Sequence, residues 1–277
     1  AKRAIDEFIQ AGGPVAFFLS PLAPDWQNLK PNRAEHGLGS LLAHYGVNLT
    51  DALVMDAEMA SIPITQRQGN MQMTRSVKYP FFLVPKDIDP QSPVTRGLAN
   101  LLLPFMGPVG FDGVSGVALS SQVLVRSSDK AGLHKPPFKT NPLERWTQAD
   151  LSEPGMKNLA MTVSGPIPSA FDSQRQASAG RILVVGGYGF LLDQFLRQAP
   201  VNMAFGLNLV DWMLLDEALL GMRSRGLDPA PLEELTSVHR NLVRYGNIFG
   251  VPLVFLALGL IRWRFRKARS KRASLDG

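Results

Sequence analysis

The chain has 277 residues, 45% of them hydrophobic and 19% charged, which excludes a wholly disordered or collagen-like polypeptide and suffices for a buried core in one large or two modest domains. With no Cys, disulfides, thiolate metal sites, iron–sulfur clusters and a cysteine nucleophile are all excluded. The formal charge of +6 is concentrated: residues 262–277 hold seven of the 29 basic and one of the 23 acidic residues, leaving 22 of each in the body. A neutral body argues against nucleic acid as a partner, because DNA-binding modules carry their basic surface on the folded domain.

The first thirteen residues, AKRAIDEFIQAGG, read as the last turns of an amphipathic helix closed by Gly12 and Gly13. No signal peptide stands before them, so earlier residues of a larger domain are expected ahead of Ala1. Residues 14–19 (PVAFFL) predict a short buried strand, 37–45 a helix closed by Gly46, and 52–55 (ALVM) a second strand. Pro, Gln and Asn crowd 61–70, and 79–93 carries four prolines, so both predict loops with at most an edge strand. Strand signals return at 116–126 (GVALSSQVLVR) and 158–164 (NLAMTVS), separated by a polar, proline-bearing surface excursion over 127–154.

Residues 181–185 (RILVV) predict a buried strand followed by Gly186, Gly187, Tyr188 and Gly189 and a helix from Phe190. A further helix is expected over 201–220, then a turn at 226–231 and another helix from Leu232. The alternation of strands and helices predicts an α/β fold with a mostly parallel sheet and helices on its faces.

Residues 245–261 (YGNIFGVPLVFLALGLI) form a charge-free run of about 25 Å as a helix, near the lower limit for a bilayer core of about 30 Å. Tyr245 and Trp263 stand at its ends as interfacial anchors, and Arg262 and Arg264 open the basic tail. The positive-inside rule then puts the tail in the cytoplasm and the body outside. A buried helix of a soluble domain is the alternative for 245–261. For the tail, anionic lipid is favoured over nucleic acid, since the cations adjoin the predicted span. The expected organisation is an extracytoplasmic domain over 1–227, a juxtamembrane helix over 228–244, a transmembrane helix over 245–263 and a cytoplasmic tail over 264–277.

The glycine turn after 181–185 has backbone suited to phosphate, but a dinucleotide fingerprint needs Gly where Leu192 stands, and no Lys-Ser or Lys-Thr follows. The turn therefore reads as close packing of strand and helix, with a degenerate pocket from Gly187, Gly189 and Asp193 as the other reading. Residues 124–129 (LVRSSD) end a strand with Ser127, Ser128 and Asp129, polar groups at the edge where open α/β sheets hold ligands; turn formation explains them equally well. No Gly-x-Ser-x-Gly occurs, and His36 and His44, eight residues apart, are too distant along a helix to share a metal. His36, His44, His134 and His239 read as solvated or capping side chains. No catalytic, metal or cofactor site is assigned.

Read in order, AIDEFIQAGGPVAFFLSPLAP, LLAHYGVNLTDALVMD, YPFFLVPKDIDPQSPVTRGL, the strand ending in RSSD, RILVVGGYGFLLDQFL and FGLNLVDWMLLDEALLGMRSR resemble the gliding-motility-associated, GldG-type auxiliary component of ABC transport systems. The resemblance implies the later part of an extracytoplasmic domain with a non-catalytic amidotransferase-like or flavodoxin-like α/β fold, held at a bacterial inner membrane. It further implies an ABC permease and, through it, a separate ATPase as partners. The family often shows an acidic or small polar residue after the glycine of the late strand, where this chain has Gly187, Tyr188 and Gly189. A membrane-tethered hydrolase or amidotransferase-like enzyme and a periplasmic scaffold are the competing functional classes.

Overall fold

In a computed structural model, the structure describes residues 1–68 and 71–214, together with Arg262. Helix α1 (Lys2–Gln10) ends as its paired glycines predict. Gly12 at φ +85° donates its N–H to the Ile9 carbonyl, and Gly13 donates to the Phe8 carbonyl, each at 2.9 Å. This double closure is a Schellman turn, and the positive φ requires glycine. Strand β1 (Val15–Phe18) follows, then α2 (Gly39–His44), β2 (Val47–Leu49) and β3 (Leu53–Met55). The middle of the chain gives β4 (Met59–Gln68), β5 (Met71–Leu83), β6 (Asp87–Ile88), β7 (Leu103–Pro104) and β8 (Val109–Phe111). The last third supplies β9 (Ser120–Arg126), β10 (Gly132–His134), β11 (Asn158–Gly165), β12 (Gly180–Val185), α3 (Asp193–Gln198) and α4 (Val201–Leu214).

The central sheet has the order β1-β12-β11-β9-β6. Only β1 and β12 pair in parallel; β12–β11, β11–β9 and β9–β6 are antiparallel. Three smaller antiparallel sheets, β4-β5-β7, β3-β10 and β2-β8, complete the strands described. The expected mostly parallel, flavodoxin-like sheet is therefore incorrect: the fold is strand-rich and mixed. The misreading has a physical cause. Five consecutive residues of β11, Leu159–Val163, are buried, so the strand shows the continuous apolar run of a parallel strand while pairing antiparallel on both sides.

Core side chains lie on both faces of this sheet. Leu183 and Val185 join Phe190, Phe205 and Leu209 on one face, with α4, while Ile182 and Val184 join Ile9, Leu42 and Tyr45 on the other, with α1 and α2. A third cluster, built on Tyr79, Phe81, Phe82 and Phe105, holds the root of the β4–β5 hairpin.

Two loop expectations are also corrected. Residues 61–70 and 79–93 supply most of β4, the end of β5 and β6; the β4–β5 ribbon is exposed on both faces over much of its length, so it lacks the apolar alternation that betrays a half-buried strand. The predicted surface excursion over 127–154 contributes β10 and buries Ala131, Leu133 and Thr140. Among the described residues no helix is long and apolar enough to cross a membrane. The expected span over 245–263, with Tyr245 and Trp263, the juxtamembrane segment over 228–244 and Arg264 lie outside the described residues; Arg262 is exposed.

Candidate ligand site at the carboxyl edge of the sheet

Strands β1, β9 and β12 run in one direction, and their carboxyl ends reach the same edge of the sheet. Leu19 donates its N–H to Val185, Gly186 to Leu159 and Ser127 to Lys157, each at 2.9 Å, so the ends stand level. The two polar patches expected from sequence are thereby brought to one edge on either side of β11, roughly 10 Å apart at about 4.8 Å per strand. Neither patch is open in the way a ligand would need.

Beyond β9, the Ser127 hydroxyl accepts the Lys157 N–H at 2.8 Å and is 1% exposed. Ser128 turns toward Asp56, at the end of β3: its N–H donates to Oδ2 at 2.7 Å and its hydroxyl to Oδ1 at 2.5 Å. Glu58 adds a third N–H to the same carboxylate at 3.1 Å. Asp56 is thus a buried acceptor that ties β3 to the end of β9, and its partner lies 72 residues away. Asp129 is exposed.

Beyond β12, the glycines permit close packing. Gly107 donates its N–H to the Gly186 carbonyl at 2.6 Å, and a Cβ on Gly186 would collide with the Gly107 carbonyl oxygen. A Cβ on Gly187 would lie 2.7 Å from Met106 Sδ, and one on Gly189 would lie 2.6 Å from Trp26 Cη2. The Met106 thioether and the Trp26 indole pack against this turn. Asp193 is exposed and pairs with Arg197 one helical turn on, at 3.9 Å.

An open cleft of about 380 Å³ lies at the end of β1, bordered by Ser20, Arg33, His36, Asp51, Gly107 and Pro108. Arg33 and Asp51 form an ion pair across it. The His36 Nδ1 accepts the Leu38 N–H at 3.1 Å, which leaves Nε2 as the protonated nitrogen of the neutral ring. Ser20, 5% exposed, spends its hydroxyl on the Phe105 carbonyl at 2.8 Å. The cleft, which Glu35 also lines, therefore offers one cation, two carboxylates and an imidazole N–H to a small polar group. Sequence reasoning singled out only His36 among these; Arg33 and Asp51 sit in polar loops and meet only through the fold.

The described histidines remain apart. His44 Nε2 bonds to the Ser169 carbonyl at 2.9 Å, and His134 Nε2 accepts the Lys139 N–H at 3.0 Å. Burial among Phe81, Phe138 and Trp146 pushes the His134 imidazole below its ordinary range, against the attraction of Asp150. None of the three hydrogen-bonds to Ser127 or Ser128, so a serine–histidine pair is not assembled among the described residues. No group of three metal-ligating side chains forms among them either; His239 lies outside them.

Comparison with known proteins decides the family. The family model of ABC transport auxiliary proteins, described as an ABC-type uncharacterized transport system, matches residues 1–210. The chain belongs to this family. The matched region includes all of the central sheet and both candidate patches, so the edge described above is a feature of an ABC transport auxiliary component. No curated protein matches it. A solved structure, "mmIFT52 N-terminal domain", aligns with a TM-score of 0.44 at 11% identity, covering 78% of this chain and 71% of that one.

Proposed function

We propose that this chain is a non-enzymatic, GldG-type auxiliary subunit that works at the bacterial inner membrane beside an ABC permease, with its folded body on the extracytoplasmic side. The observation that carries the reading is the family match over residues 1–210, which agrees with the ordered resemblance of six sequence blocks. In this role ATP is hydrolysed by a separate polypeptide. The glycine turn is not followed by the Lys-Ser or Lys-Thr of a phosphate-binding loop, which supports that division. The Arg33–Asp51–His36 cleft is the surface that meets a polar cargo or a neighbouring subunit.

ATP turnover by the purified permease–ATPase pair, measured with and without this chain, tests the proposal. The chain alone should hydrolyse no ATP, and its addition should change the turnover of the pair. Hydrolysis by the chain alone, or an unchanged rate at saturating chain, contradicts it.

A further inference from the structure

The β4–β5 hairpin is exposed over residues 65–66 and 72–76. Residues 59–86 contain no Asp or Glu but four cations, Arg67, Arg75, Lys78 and Lys86. Lys86 is held by Glu58 at 3.0 Å, whereas Arg75 and Lys78 are exposed and form no ion pair among the described residues. From Pro63 to the tip the ribbon extends six residues along β4, roughly 20 Å at about 3.3 Å per residue.

The two edges of this ribbon differ. On β4, Pro63 removes a donor while the register to β5 continues through Pro63–Ser76, so the missing N–H belongs to the outer edge. That edge is a poor template for another strand. The Thr65 and Thr74 hydroxyls, two residues further along, meet at 2.9 Å, the closeness expected of pairs that do not exchange backbone hydrogen bonds. Pro63–Ser76 and Thr65–Thr74 share this phase, so the N–H and C=O groups of Gln72, Thr74 and Ser76 face away from β4. On that side β7 covers β5 only at Phe82 and Leu83, and no backbone partner meets residues 72–78 among the described residues.

We propose that the outer edge of β5 over residues 72–78 accepts an extended, acid-bearing segment of another polypeptide as an added strand. Backbone pairing with Gln72, Thr74 and Ser76 supplies the register, and carboxylates beside Arg75 on one face and Lys78 on the other supply the selectivity. The absence of acidic residues over 59–86 favours an acidic segment. A row of outward backbone donors and acceptors is satisfied by a strand and not by lipid headgroups.

The test is amide hydrogen exchange on the whole chain, with a capped peptide of alternating Val and Glu as probe and its Val–Lys counterpart as control. Exchange at Gln72, Thr74 and Ser76 should slow about tenfold or more with the Glu peptide only. Ser76→Pro, which mirrors Pro63 and leaves the ladder to β4 intact, should abolish the effect. Arg75→Glu with Lys78→Glu leaves the backbone untouched and should reverse the preference toward the Lys peptide. The proposal is overturned if neither peptide slows exchange, if both do so equally, or if the double Glu variant keeps the original preference. Protection produced by anionic phospholipid vesicles instead, or by concentration-dependent self-association, overturns it by assigning the edge to lipid or to a second copy.

Discussion

Replacing Asp6 by Ala should destabilise the protein by about 3–5 kcal/mol, the range for removing one member of a buried, charged hydrogen-bond network. Asp6 is 2% exposed on α1 and accepts three hydrogen bonds: from the Tyr45 hydroxyl at 2.8 Å, the Ser169 hydroxyl at 2.6 Å and the Ala170 N–H at 2.9 Å. Each bond to a charged group contributes about 1.5–3 kcal/mol, and water entering the cavity recovers part of the total. Burial raises the pKa of the Asp6 carboxyl, but the bonds from Ser169, Ala170 and Tyr45 outweigh it and hold the group below the usual carboxylate range. The sign of the pH dependence follows. An unfolded Asp titrates near about 3.9, so this stabilisation is fully present well above about pH 4 and is lost as the pH falls through the lower folded value. Urea unfolding of wild type and Asp6→Ala from pH 7 to pH 3 measures both quantities. Wild type should show an acid loss of stability that the variant lacks in part. A difference below about 1 kcal/mol at pH 7, or acid limbs that run parallel, would refute this account of the network.

Gly186→Ala should cost about 3 kcal/mol or more, because its Cβ meets the Gly107 backbone rather than a movable side chain; thermal unfolding of the variant measures it. Asn202 exchanges hydrogen bonds with both backbone groups of Leu102, at 3.0 and 2.8 Å, and donates to the Phe190 carbonyl at 3.2 Å. Asn202→Ala should therefore lose about 2–4 kcal/mol and loosen α4, read as faster hydrogen exchange over 201–209. His134, held neutral by burial, should show imidazole resonances that titrate below the roughly 6.5 of an exposed histidine; a value at or above that contradicts its packing.

Local features of the fold were legible where one short stretch contained the whole cause. The paired glycines that close α1 and the apolar run of β12 identify their elements without reference to anything distant. Strand direction was not legible, because burial on both faces erases the alternation that marks an antiparallel strand. The β4–β5 ribbon lacks a signature for the opposite reason: residues 65–66 and 72–76 bury neither face, and Pro63 reads as a loop residue although it stands at an open edge. The polar patches after β9 and β12 lie at one end of the sheet, and their environments depend on Asp56, Met106 and Trp26, residues remote in the chain. The cleft between Arg33, His36 and Asp51 had no signature beyond polar loops, since its ion pair spans 18 residues without periodicity.

The proposed role as an ABC auxiliary subunit is tested most directly by purifying the chain in detergent from its native cells at endogenous level and identifying bound polypeptides by mass spectrometry. The account predicts a permease and a separate ATPase in constant ratio to the chain. Recovery of the chain without either, from extracts in which both are intact, would contradict it.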